Sequence, residues 1–81
     1  KNSIWSDETI ILAEKLHNEL AINNYDWHKY KNNSSKRAAE LISGALIKII
    51  NHGDNNDINT MLKQSMLWLN KEINDPGCPN H

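Results

Sequence analysis

The stretch from Lys36 to Asn51 restricts the fold more than any other part of the chain. Ala38, Leu41, Ile42, Ala45, Leu46 and Ile49 recur there at intervals of three and four residues, the spacing that gathers apolar side chains on one face of an α-helix. Gly53 follows as a terminating residue. The same period appears twice more. Trp5, Thr9, Leu12, Ala13, Leu16 and Leu20 share a face after Ser6, an N-cap type followed by Asp7 and Glu8, which suit the positive end of a helix dipole. Ile58, Leu62, Ser65, Met66, Leu69 and Ile73 share another, with Asp57 as the expected N-cap and Asp75-Pro76-Gly77 as the stop.

These patterns predict helices over residues 6–23, 33–52 and 57–74, with an irregular tail over 75–81. Asn23-Asn24, Asn32-Asn33 and Asn55-Asn56 punctuate them, because asparagine side chains compete with the helix for backbone hydrogen bonds. The start of the second helix is open. Trp27 and Lys31 fall in phase with Ala38 and Ala45, so Asp26 could cap a helix that runs through Asn32-Asn33, or a short extra helix could occupy residues 26–35. Gly44, inside the second helix, costs about 1 kcal/mol against alanine and predicts a close approach by a neighbouring helix.

The chain has no valine and no hairpin dipeptide between alternating runs, so nothing favours a sheet. Short connections make successive helices antiparallel neighbours, and 81 residues fill one domain. The expected architecture is therefore all-α, a three-helix antiparallel bundle of residues 1–81.

A core this small leaves little volume for an enclosed catalytic pocket. Acidic residues fall at caps or on solvated faces, and phosphate-cradling glycine loops are absent. Cys78 and His81 make half of a zinc site without the other half, and His17, His28 and His52 are scattered. No catalytic residue, metal site or cofactor is expected. The longest apolar run, residues 45–50, contains Lys48 and is far short of a membrane span. A single cysteine and a net charge of −1 suit a reducing, cytoplasmic setting and mark no global nucleic-acid binder. The start at Lys1 rather than Met fits a chain whose upstream stretch was removed or omitted.

What remains is surface. Ile11, Ile22, Ile47 and Leu67 lie off the main apolar face of their helices, more apolar sides than one small core can bury. With Trp27 and Tyr30 they are the candidate residues for binding a protein partner or a second copy. The segment around Trp27 and Tyr30 also interleaves rings with Lys29, Lys31, Lys36 and Arg37, the pattern by which some proteins hold single-stranded RNA or another anion. Rings with lysines are more often ordinary bundle-edge residues, so this ranks second.

Asp26-Trp27-His28, Arg37-Ala38-Ala39-Glu40-Leu41, Trp68-Leu69 with Glu72, and Asp75-Pro76-Gly77-Cys78-Pro79 together resemble a small uncharacterised helical protein family of cyanobacteria. The resemblance covers most of the chain and implies a soluble cytoplasmic or stromal helical protein. None of its motifs carries a chemistry, so it transfers no site residue.

Overall fold

The computed structural model describes residues 4–71 and is all-helical over them, with four helices and no strand. They are α1 (Asp7–Leu20), α2 (Trp27–Tyr30), α3 (Ser34–Ile50) and α4 (Asn55–Leu69). The fold is a small helical bundle built on α3, which packs most extensively against α4 and next against α1. Both neighbours run antiparallel to it. Across α1 and α3, His17 meets Ser43 near one end while Trp5 and Ile50 line one groove near the other. Across α3 and α4, Arg37 meets Trp68 at one end and Gly44 meets Met61 farther along.

Local chemistry sets the boundaries. Ser6 caps α1 as expected, its Oγ accepting from the Thr9 N–H at 3.1 Å. The helix ends at Leu20 rather than near Asn23, and Asn23 instead forms a turn in which its Oδ1 accepts from the Asp26 N–H at 2.9 Å. The long version of the second helix does not form. Asn33 is extended, and its side chain accepts from the Lys36 N–H at 2.9 Å, so it starts α3 and leaves Trp27–Tyr30 as the short extra helix.

Two termini differ from the sequence reading. Asp54, not Asp57, caps α4, with its Oδ2 accepting from the Asp57 N–H at 3.2 Å. Asn55 and Asn56 are therefore helical rather than part of the turn. At the end of α3 the left-handed residue is His52 (φ 61°), not Gly53. The Gly53 N–H donates to the Lys48 carbonyl and the His52 N–H to the Ile49 carbonyl, the paired bonds of a Schellman motif. Gly53 is required for closeness instead, since a Cβ there would lie 3.1 Å from both the Lys48 carbonyl oxygen and its Cβ. Helix α4 stops at Leu69, with Lys71 left-handed just beyond it (φ 61°), earlier than the expected end at Asn74. Ile73 and the tail from Asp75 to His81 lie outside the described residues.

The core is made of small side chains. Ala13, Ala38, Ala45, Ser43, Gly44 and Ser65 are buried, joined by Ile50, Ile58 and Trp68. Both buried serines are satisfied within their own helices, Ser43 Oγ donating to the Glu40 carbonyl and Ser65 Oγ to the Leu62 carbonyl. Gly44 meets no neighbouring backbone. The space its missing Cβ would occupy lies 2.8 Å from Met61 Cε and 3.4 Å from His17 Cε1, so side chains of α4 and α1 converge over it.

Candidate interaction face

Small residues in the core put large ones outside. Of all residues in α3, only Ser35, Ile42, Leu46 and Ile49 are exposed, and three of these four are large aliphatics. They occupy one narrow strip, because at 100° per residue the four lie within about 60° of one another. The rest of the helix circumference is buried or half-buried against its neighbours. A helix enclosed on its remaining sides and open only along an aliphatic strip is the reverse of the usual amphipathic pattern.

The strip continues onto both neighbours. Leu46 shares an open groove of about 300 Å³ with Trp5, Leu12 and Leu16, so the α1 leucines border it on one side. Ser35 and Leu69 line one shallow depression at the opposite end, which places α4 along the other side. Met66, three residues before Leu69, lies on the same flank of α4. Leu12, Leu16, Ile42, Leu46, Ile49, Met66 and Leu69 are each 40–59% exposed. They form one apolar face across three helices.

Most of these residues were expected in the core, and a roll of α1 explains part of the difference. Ala13 and His17 turn toward α3, a rotation of roughly 60–80° from the centre of the leucine stripe, which carries Leu12 and Leu16 into solvent. His17 supplies the reason. Ser43 Oγ gives its proton to the Glu40 carbonyl, so at 2.7 Å the His17 Nδ1–H donates to Ser43 Oγ. This polar bond and the buried Ala13 hold α1 on a face beside, not at the centre of, its leucine stripe.

Of the partner-binding candidates, Ile11 and Trp27 are exposed, whereas Ile22, Ile47, Leu67 and Tyr30 are half-buried. The expectation that Ile22, Ile47 and Leu67 stand free at the surface is thus corrected. Ile47 lies between Ser43 and Gly44 on the enclosed side of α3, and Ile22 follows the end of α1. The signal that could have found the open strip is the 4-3-4-3 spacing of Ser35, Ala39, Ile42, Leu46 and Ile49. It overlaps the core period and reads as core.

The aromatic and basic segment is largely engaged with itself. Lys29 and Lys36 stack on the Tyr30 ring, their Nζ atoms 5.2 and 4.8 Å from its centroid. Arg37, the single arginine, sits with its guanidinium 4.8 Å from the Trp27 ring and 5.2 Å from the Trp68 ring. It therefore ties α2 to α4, and its 3.8 Å contact with Glu40 adds a weak pairing. Arg37 Nε is buried without a hydrogen-bond partner among the described residues. Lys31 is half-buried at the end of α2.

Among the described residues no three His, Cys, Asp or Glu side chains gather as metal ligands, and no helix is long and apolar enough to cross a membrane. Cys78 and His81 lie outside those residues. A model of a family of unknown function, DUF6439, matches residues 1–81, the whole chain. No curated protein and no solved structure matches it.

Proposed function

We propose that this chain, which belongs to the DUF6439 family, is a non-enzymatic helical module that binds a protein, a different one or a second copy, through the open face of α1, α3 and α4. One observation carries the reading: the aliphatic strip of α3 and its flanking leucines are exposed while alanines, serines and a glycine fill the core. Seven side chains of 40–59% exposure present roughly 600–700 Å² of apolar surface, at or above the ~300–600 Å² of the largest patch on a typical monomer. Covering such a face removes it from water at a gain of about 25 cal/mol per Å² before the costs of association. A cytoplasmic site of action fits the single cysteine and the modest net charge.

A photo-crosslinking residue at Leu46 tests this in the cell of origin. Protein adducts are expected from Leu46 and not from Glu14, which lies on the far side of α1. Absence of protein adducts from Leu46 would rule the reading out.

A second reading, RNA or another anion held by Lys29, Lys31, Lys36 and Arg37, draws support from the gathering of Lys29 and Lys36 on one ring. Against it, the Tyr30 and Trp27 rings already carry cations where bases would stack. Binding of this kind weakens steeply with salt, and a short single strand giving no signal at low salt would exclude it.

A further inference from the structure

Resting on the proposed docking role of the open face, we infer that its occupant is a second copy of this chain, paired α3 against α3 in a two-fold dimer. The first support is the spacing along the exposed strip. Exposed Ser35, Ile42, Leu46 and Ile49, with the half-buried Ala39 among them, follow a 4-3-4-3 rhythm, the seam by which one helix packs its side chains between those of another. That seam is left open by α1 and α4, since Ile42, Leu46 and Ile49 remain 40–44% exposed with both helices in place.

Area is the second support. The apolar face, roughly 600–700 Å², approaches the ~800 Å² per partner of a standard-size interface. A two-fold pair covers this face on both copies at once and closes on itself.

The third support is charge. On α1, Glu8, Glu19 and Lys15 follow the outer flank of Leu12 within about 60°, two carboxylates against one lysine, while Asp7 and Glu14 lie on the far side. On α4, Lys63 lies beside Met66, and Asp57 lies on the opposite side of the helix. The α1 edge is thus net acidic and the α4 edge carries a lysine, so the face is modestly complementary to itself. A two-fold axis parallel to α3 sets each α1 opposite the partner's α4, joining edges of opposite sign. An axis across the helices would oppose α1 to α1, acid to acid.

Sedimentation equilibrium of the full chain, from micromolar to submillimolar concentration, is expected to show the mass rising from one copy to two. Leu46→Glu, at a position 40% exposed in the single copy, is expected to keep its helical circular dichroism and to weaken pairing at least about tenfold, or about 1.4 kcal/mol. Ile42→Cys in a Cys78→Ser background should form a disulfide-linked pair on mild oxidation, and Glu14→Cys in that background should not. A one-copy mass throughout overturns the inference, as does a dimer that Leu46→Glu leaves intact. A one-copy mass combined with adducts between Leu46 and a different protein overturns self-pairing alone and leaves the docking reading standing. No protein adduct from Leu46 removes both.

Discussion

Arg37 shows how one side chain can take the place of a larger core. Its guanidinium lies between the Trp27 and Trp68 rings, so a cation fills the junction of α2, α3 and α4 where an aliphatic group would be ordinary. Arg37→Ala should lower stability by about 1–2 kcal/mol through lost stacking and packing, and should shift the tryptophan fluorescence of the folded state. Lysine at this position would restore the charge without the planar stack, so Arg37→Lys is expected to recover only part of the loss. The His17–Ser43 bond acts similarly between α1 and α3. His17→Ala and Ser43→Ala should be non-additive in a double-mutant cycle, because each removes the same contact.

At the scale of elements, the helix ends are where side-chain chemistry is most local. Asn33→Ala removes the acceptor that separates α2 from α3 and should cost about 1 kcal/mol in thermal or urea unfolding. His52→Gly should instead stabilise by about 0.5–1 kcal/mol, since His52 holds a left-handed conformation that glycine adopts freely. Gly53→Ala should destabilise, because its Cβ would press on the Lys48 backbone carbonyl. Gly44→Ala is different. The obstructing atom is the tip of the flexible Met61 side chain, so a small displacement lets the helix-propensity gain of about 1 kcal/mol appear at least in part.

The whole molecule separates two adjacent residues that the period of α3 treats alike. Ala45 is 1% exposed against α4, and Leu46 is 40% exposed on the open face. Ala45→Glu should prevent folding because it places an unpaired charge in the helix interface. Leu46→Glu should lower the thermal stability of the single copy far less, and circular dichroism melts of the two variants distinguish the cases. The contrast also shows what a small bundle can cover. One central helix with two neighbours is enclosed on two sides, and its third side needs a partner or meets water.

The sequence by itself determined that the chain is helical, where three of its helices lie to within a few residues, and that Ser6 would start the first. These follow from period and capping, interactions between residues three or four apart. It also carried the surplus of apolar sides that moves the question of function from a pocket to a surface. Tertiary structure decided which sides those are. Leu12, Leu16 and Leu46 were expected inside and Ile47 outside, but small residues allow helices to approach more closely than leucines do. The contacts through Ala38, Ala45, Ser65 and the His17–Ser43 bond therefore set the rotation of each helix. That choice depends on the fit between helices distant in the chain, and within α3 the spacing of the open strip overlaps the core period and reads as core.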